Sequence, residues 1–236
     1  MNVRNASLKS IPALVLAAVL ASAAVAAFAA GPKAYVGNFK DSTVSVIDTA
    51  TGAVTGTVPV AAGPHGMSMA PDGKTVYVSG DESSTVSVID TATDRVTGTI
   101  EVGKTPHGLA MQADGRVLLV AVYGEDRVAF VDTATRAIAG SVAVPKPHTI
   151  AIRPDGKLAY VASQQPGKFA LVVVDLATRA AVREIALDKP PRDPEFSYDG
   201  KALYFTSAGV NAVQVLDPAS DKIGRASCRE RVLACV

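Results

Sequence analysis

The stretch Val44–Val60 has the sequence VSVIDTATGAVTGTVPV, and Val86–Val102 repeats it as VSVIDTATDRVTGTIEV. A looser copy, VAFVDTATRAIAGSVAV, occupies Val128–Val144. The aspartates that mark this block recur at steps of 42, 42, 43 and 42 residues, as Asp48, Asp90, Asp132, Asp175 and Asp217. A period in the forties with strand-forming content is typical of β-propeller blades rather than of helical repeats. The repeat therefore predicts an all-β chain built from blades.

One block is long enough for four short strands. In the copy from His65 to Pro106, alternating and β-branched segments predict the strands Gly66–Ala70, Thr75–Ser79, Thr85–Ile89 and Val96–Val102. The third strand carries small or apolar residues on both faces, which predicts a sheet covered on both sides. No long helical periodicity follows Pro32, so almost no helix is expected.

The motif series PDGKTVYVSG, STVSVIDTAT and GKTPHGLAM resembles the YVTN-type β-propeller repeat family, which includes YncE-like periplasmic proteins. The resemblance covers roughly residues 33–222 and implies four-stranded antiparallel blades, the first of which is completed by a strand from the far end of the chain. Seven blades at this period need about 290 residues. The chain is therefore expected to form a truncated open arc of about 4.5 blades from a seven-bladed parent. The resemblance implies no single function, since propellers host many activities.

Residues 1–29 have the pattern of a secretory signal peptide. Arg4 and Lys9 precede the apolar run Ile11–Val25, and Ala27-Phe28-Ala29 fits a cleavage site. An uncleaved anchor helix is the alternative, because Ile11 to Pro32 carries no charge. We expect a periplasmic or secreted protein whose partial propeller domain spans residues 31–221, with no membrane span after cleavage.

Residues 222–236 break the repeat. The segment Lys222–Val232, KIGRASCRERV, resembles the translated read-through of a sequencing adaptor, so this tail is expected to be non-native. A genuine basic tail is the alternative. Both cysteines of the chain, Cys228 and Cys235, lie in this tail, so they are not a disulfide framework for the fold.

The charge and composition lower the expectation of nucleic-acid binding. The formal net charge is +1, and it becomes −3 once the predicted signal and residues 223–236 are set aside. A mildly acidic propeller disfavours non-specific nucleic-acid binding. Aromatic residues make up 5% of the chain and tryptophan is absent, which removes the usual stacking platform for bases or sugars.

All three histidines of the chain occupy one repeat position. His65, His107 and His148 each follow a proline, and Arg192 takes the fourth equivalent place. Each is predicted to lie in the connection just before the innermost strand, at the mouth of the central channel. Three converging imidazoles suit a Cu or Zn ion. The alternative is that the Pro-His-Gly sequence recurs with the loop geometry, with each ring bonded to backbone carbonyls or too far from the others to share an ion. Arg192 in the fourth place would also repel a cation.

Lysines in the same connections predict a basic rim around the channel mouth. Lys104, Lys146 and Lys189, together with Arg192 and the histidines, would attract a small anionic ligand or an acidic patch on a protein partner. Solvated surface lysines are the alternative. Acidic residues in the loops between the second and third strands are expected on the same face, outside this rim: Asp41, Asp81, Glu82, Glu125 and Asp126.

The repeated aspartates and Asp-Gly pairs are expected to form turns on the opposite face. For catalysis the sequence offers little. On the predicted inner strands Glu195 is the one carboxylate, and no acid/base pair, Ser-His-Asp set, phosphate loop or haem motif is evident. The sequence therefore favours a binding or interaction scaffold. The alternatives are a metal- or cofactor-dependent propeller enzyme, either a lactonase-like hydrolase or an oxidoreductase partner, and a structural surface-layer protein.

Overall fold

The structure, a computed structural model, describes residues 31–226 and consists of five antiparallel sheets. The predicted signal peptide lies outside this range, as do residues 227–236. The first sheet has three strands, and their bounds are β1 Lys33–Asn38, β2 Thr43–Asp48 and β3 Val54–Pro59. The second sheet has four: β4 Pro64–Met69, β5 Thr75–Gly80, β6 Thr85–Asp90 and β7 Arg95–Glu101.

The remaining three sheets repeat the four-stranded pattern. The third consists of β8 Pro106–Met111, β9 Val117–Val122, β10 Arg127–Asp132 and β11 Ala137–Ala143. The fourth consists of β12 Pro147–Ile152, β13 Leu158–Ser163, β14 Phe169–Asp175 and β15 Ala180–Leu187. The fifth consists of β16 Pro191–Phe196, β17 Leu203–Ser207, β18 Val213–Asp217 and β19 Lys222–Ala226. In each sheet, consecutive strands are hydrogen-bonded neighbours, so each sheet is one propeller blade.

Helix is nearly absent from the described part of the chain. One 3₁₀ turn, Phe39–Asp41, connects β1 and β2 in blade 1. Another, Tyr123–Glu125, connects β9 and β10 in blade 3. Within residues 31–226, no helix has the length and apolar character needed to cross a membrane. The all-β prediction is confirmed.

The same sequence is buried to a different depth in a blade at the end of the arc and in a blade inside it. The segment Val-Ser-Val-Ile occurs in β2 and in β6, and in β6 all four residues are buried. In β2 the two valines are buried, whereas Ser45 and Ile47 are partly exposed. Blade 1 has a neighbouring blade on one side only, so one face of its central strand remains uncovered. The prediction of an apolar strand covered on both faces is confirmed for the inner blades.

The hydrophobic core is divided among the interfaces between blades. Four buried clusters are present, one between each pair of consecutive blades. The cluster between blades 3 and 4 includes Leu119, Phe130, Val161 and Val172. Among residues 31–226, no cluster joins blade 1 to blade 5. The five sheets therefore form an open arc, as predicted.

The turns have the predicted chemistry. Oδ1 of Asp132 accepts the N–H of Thr135 at 2.7 Å, and the other repeated aspartates accept an N–H two or three residues ahead in the same way. These bonds, together with bonds from neighbouring threonine or serine hydroxyls, lower the pKa of each aspartate below its usual range. In the Asp-Gly turns, Gly73 has φ of +70°, a conformation that glycine adopts without strain.

A second turn position connects each blade to the one before it. The residue four positions after each repeated aspartate has a left-handed backbone in all five blades, and these residues are Gly52, Asp94, Arg136, Arg179 and Asp221. Asp94 accepts hydrogen bonds from Lys33 and Tyr35 of blade 1, each at 2.7 Å. Asp221 pairs with Arg183 of blade 4 at 3.2 Å. We call the four side chains of this set that reach the preceding blade the interblade latches.

Two latches are arginines that cross the preceding outer strand beside a glycine. Arg136 reaches the carbonyl oxygen of Thr97 at 3.4 Å, and Arg179 reaches that of Ala139. A Cβ on Gly98 or Gly140 would lie 2.8 or 2.9 Å from the guanidinium of the crossing arginine. The glycines of the outer strands therefore leave room for the latches.

The last blade extends beyond the predicted domain boundary. Strand β19 begins at Lys222 and pairs along its length with β18, for example Leu216 with Ile223. The first residues of the segment predicted to be a non-native tail thus occupy the place of a fourth strand. The rest of that segment lies outside the described residues.

Candidate functional site

The three histidines lie at the start of the innermost strands. Each is the second residue of its strand, in β4, β8 and β12, and not in the preceding connection as the sequence suggested. The ladder is irregular there, since Pro64 pairs with Gly80 and the next regular pair is Met67 with Val78. This irregularity lets a proline, which has no N–H to donate, begin a paired strand.

Close approach of neighbouring blades explains the glycine after two of the histidines. A Cβ on Gly108 would lie 2.7 Å from the carbonyl oxygen of His148 and 2.7 Å from Cα of Thr149. Gly66 is similarly crowded by the backbone at His107 and Gly108. The fourth blade has Thr149 in this place, and its Oγ1 accepts the N–H of Asp193 at 3.1 Å. Thus the Pro-His-Gly pattern has a packing cause at its glycine.

The histidine rings themselves converge on one point. The ring centroids of His65 and His107 are 4.5 Å apart, those of His107 and His148 are 4.8 Å apart, and those of His65 and His148 are 5.5 Å apart. One nitrogen from each ring lies within 4.8 Å of the corresponding nitrogen of the other two. The expected convergence at the channel mouth is therefore present, and the rings are close enough to act on one ligand.

Two of the three rings are enclosed by protein. His148 is 7% exposed, His107 is partly buried and His65 is exposed. Nδ1 of His107 and Nδ1 of His148 are both buried without a hydrogen-bond partner. These nitrogens are thus not bonded to backbone carbonyls, which was the structural alternative proposed from the sequence.

An aspartate and a tyrosine flank His107. Oδ1 of Asp81, in the loop after β5, lies 3.0 Å from Nε2 of His107. The two atoms are close but not aligned as a hydrogen bond, so this oxygen has no donor. The ring of Tyr123 lies 4.9 Å from the His107 ring, centroid to centroid. Both contacts orient the His107 imidazole.

Burial and neighbouring charges favour the neutral form of the enclosed rings. Burial is the main cause that lowers the pKa of His148 to about 4, and His107, His65 and Arg192 act in the same direction. Burial also lowers the pKa of His107, against the opposite effect of the Asp81 carboxylate. Both rings are therefore neutral near pH 7, the form that binds metal ions or accepts hydrogen bonds.

A cavity of about 320 Å³ adjoins the rings along the inner strands. His65 lies at its rim, and the fifth blade contributes Asp193, Pro194 and Glu195. The positive charge of Arg192 acts on both His107 and His148. Two carboxylates thus share the cavity with the His65 ring, so the lining is not purely basic.

The predicted rim lysines are distributed unequally. Nζ of Lys146 lies 3.2 Å from Asp126 and 5.3 Å from the Tyr123 ring centroid. Lys104 is exposed, and its backbone N–H donates to Glu125 at 2.9 Å. Lys189 lines a separate groove of about 520 Å³ on blade 5, together with Asp188 and Arg225. Acidic residues therefore alternate with the basic ones around this face.

Sequence reasoning missed the roles of Asp81 and Tyr123 beside His107. Asp81 was expected on the same face but not against a ring, and Tyr123 was not considered. Asp81 lies in a loop of blade 2 and contacts His107 of blade 3. Tyr123 lies in a loop of blade 3 and contacts His107 of the same blade. Both lie 16 residues after a histidine and 42 residues from each other, so they share one repeat position, but the residue type at that position differs from blade to blade.

Comparison with known proteins agrees with this fold. A sequence profile described as "YNCE-like beta-propeller" matches residues 3–101. No curated protein sequence matches the chain. A solved chain of Kuenenia stuttgartiensis hydrazine synthase is similar with a TM-score of 0.77 and 24% identity, covering 84% of this chain and 64% of that one.

A second similar structure is described as dihydro-heme d1 dehydrogenase NirN in complex with DHE. Its TM-score is 0.62 at 20% identity, and the match covers 82% of this chain and 42% of that one. This chain thus spans less than two thirds of the length of either solved chain. At these identities the likeness shows the propeller fold alone.

Proposed function

Since the chain is a β-propeller whose residues 3–101 match a YncE-like profile, we propose that it is a binding or interaction scaffold that works through its channel-mouth face. Its ligand is a small anion, or the acidic surface of a protein partner that presents the same chemistry. The observation that carries the proposal is the convergence of His65, His107 and His148 beside the charge of Arg192. Export to the periplasm or to the exterior is part of the proposal and rests on the signal pattern of residues 1–29.

The charges around the cavity favour a small ligand with one anionic group. Arg192 supplies a fixed positive charge, and the two neutral enclosed rings supply hydrogen-bonding nitrogens. Asp193 and Glu195 line the cavity and repel a second anionic group. We therefore expect the anionic group of a ligand to lie at the Arg192 end.

Calorimetric titration with inorganic phosphate and with acetate tests this proposal. Binding should be lost or strongly weakened in Arg192→Gln, because the fixed charge is removed while a polar side chain of similar length remains. The matched control is Lys74→Gln, which removes one positive charge from an exposed Asp-Gly turn at the far end of β4. Equal binding by both variants would contradict the proposal. Binding of an acidic protein without either small anion would favour the partner form of it.

A metal- or cofactor-dependent propeller enzyme is the second candidate function. The convergence of the histidines favours it, since three imidazoles with an open side are also the ligand set of catalytic metal sites. Asp193 and Glu195 add carboxylates next to the same cavity. Hydrolysis of a simple lactone by the zinc-loaded chain, abolished by Glu195→Gln, is the measurement that would support this candidate over a scaffold.

A further inference from the structure

The structure leaves two ring nitrogens at the channel mouth without a partner. Nδ1 of His107 and Nδ1 of His148 are buried, and no hydrogen-bond donor or acceptor meets them. Buried polar atoms in folded proteins nearly always have a partner, and an ion is one of the groups that supplies it. The third ring, His65, lies with its centroid 4.5 Å from that of His107.

The Asp81 contact adds an independent observation. Its carboxylate approaches Nε2 of His107, which is the ring nitrogen opposite the unpartnered Nδ1. In metal sites, a histidine ligand commonly presents its second nitrogen to a carboxylate, which orients the ring and makes the ligand nitrogen more basic. His107 has a carboxylate 3.0 Å from this second nitrogen, and a small reorientation would align the pair as a hydrogen bond.

We propose that His65, His107 and His148 bind one divalent transition-metal ion of the zinc or copper class, with Asp81 as the residue that positions His107. This inference rests on the proposed function of the channel-mouth face as a binding site, and it names what that face binds. Three imidazoles fill three positions of a tetrahedral site and leave the fourth open. The positive charge of Arg192, which acts on His107 and His148, would attract a small anion as the fourth ligand.

The ligand atoms select the class of metal. Imidazole nitrogen suits zinc, copper and nickel, whereas calcium and magnesium require several oxygen ligands. Nitrogens bound to one ion at about 2.0–2.1 Å in tetrahedral geometry lie about 3.3 Å from one another. The present separation of up to 4.8 Å must therefore shorten on binding. Because His65 is exposed, its ring is the one that is free to rotate toward the other two.

The test is a titration of the full chain, freed of metal by EDTA and then dialysed, with Zn²⁺ and with Cu²⁺. The Cys228→Ser, Cys235→Ser background prevents the two thiols from competing for the ion. One ion per chain is expected by calorimetry and by elemental analysis, and Mg²⁺ should give no heat. The electron paramagnetic resonance spectrum of the Cu²⁺ form should show coupling to imidazole nitrogens.

Two acidic neighbours provide a matched pair of variants. Asp81→Asn should weaken zinc binding about 10- to 100-fold, the usual cost of removing an outer carboxylate from a histidine ligand. Glu82→Gln makes the same charge change one residue further on, at an exposed position, and should leave the affinity unchanged. His65→Gln is a third variant. It removes an exposed ligand at little risk to folding and should weaken binding more than Asp81→Asn does. Unchanged affinity in His65→Gln, or no stoichiometric zinc binding in the parent, would overturn the proposal.

A phosphate titration of the metal-free chain separates this inference from the proposed function. Phosphate bound without any zinc binding overturns the metal site and supports anion binding. Zinc bound with the expected dependence on His65 and Asp81, but with no phosphate bound to either the metal-free or the zinc-loaded chain, supports the metal site and overturns anion binding.

Discussion

Nη1 of Arg179 in the fourth blade donates a hydrogen bond of 2.6 Å to the carbonyl oxygen of Ala139 in the third blade. The same guanidinium lies over the Phe130 ring, with Cζ 5.2 Å from its centroid. Arg179 is one of the four interblade latches, which all connect a turn to the preceding blade. Because the core is divided among separate interfaces, a contact that spans one interface contributes directly to holding two blades together.

Arg179→Ala should therefore lower the free energy of unfolding by about 1–2 kcal/mol, the range for losing a charged hydrogen bond with partial solvent screening. Urea denaturation followed by circular dichroism measures this change. Arg116→Ala is the control, because Arg116 is exposed in an Asp-Gly turn and should change stability by less than about 0.5 kcal/mol. A loss of equal size in both variants would mean that the latch contributes nothing specific.

Gly108 should not tolerate a larger residue. In Gly108→Ala the new methyl group would meet the backbone of the neighbouring strand at His148 and Thr149, both at 2.7 Å. Since backbone cannot move aside as a side chain can, the blades must separate, and we expect a loss of about 1–3 kcal/mol. Gly56→Ala is the control, because a Cβ there meets nothing within 4 Å. Thermal unfolding of the two variants provides the comparison, and similar melting temperatures would refute the close-packing explanation.

Two isoleucines in identical sequence surroundings should differ in their contribution to stability. Ile89 in β6 is completely buried, whereas Ile47 in β2 is partly exposed on the uncovered face of blade 1. Ile89→Ala should cost about 2–5 kcal/mol, the range for buried isoleucine, and Ile47→Ala should cost clearly less. Equilibrium urea unfolding of both variants tests this. Equal losses would indicate that the face of blade 1 is covered in solution.

Stability of the metal-free chain should fall on mild acidification because of His148. Its pKa is about 4 in the folded chain and about 6.5 when unfolded, so between these values the unfolded chain binds more protons. The contribution is complete above about pH 6.5 and is lost as the pH falls toward 4. The full shift corresponds to about 3 kcal/mol, which screening at the channel mouth reduces to about 1–2 kcal/mol.

Urea midpoints measured in EDTA at pH 7, 6, 5 and 4 test this expectation. His148→Gln removes the titrating ring but keeps a polar side chain, so its midpoint should change less over the same range. The turn aspartates titrate as well, and their lowered pKa values place the stability that they contribute at higher pH, with its loss below about pH 4. A parallel pH dependence in the parent and the variant would show that His148 is not responsible.

The architecture was predictable because every blade repeats the same arrangement of strands and turns. The 42-residue spacing of Asp48 and Asp90 identifies a repeat, and the alternation in Thr75–Ser79 identifies its strands. The innermost strands were placed about two residues too late, since Pro64 and His65 resemble a connection in sequence. In the structure, Pro64 pairs with Gly80 across the irregular ladder, so Pro64 and His65 both belong to strand β4.

The candidate site was predictable in position but not in detail. Equal spacing places His65, His107 and His148 at equivalent points of adjacent blades, and equivalent points near the axis must converge. The distances between the rings depend on how closely the blades approach, which glycine at positions 66 and 108 permits. The contact of Asp81 with His107 joins the same two repeat positions as the contact of Phe39 with His65, but the repeat does not predict which residue type stands beside the ring.

The direction of the latches has a consequence for how the chain is built. Asp94, Arg136, Arg179 and Asp221 each reach back to the blade that precedes them in sequence. During synthesis from the N-terminus, the contact partner of every latch therefore exists before the latch residue itself emerges. Each finished blade therefore offers the contacts to which the next one docks, and this favours assembly one blade at a time from the N-terminus. A chain interrupted between blades would keep every latch contact that it had already formed.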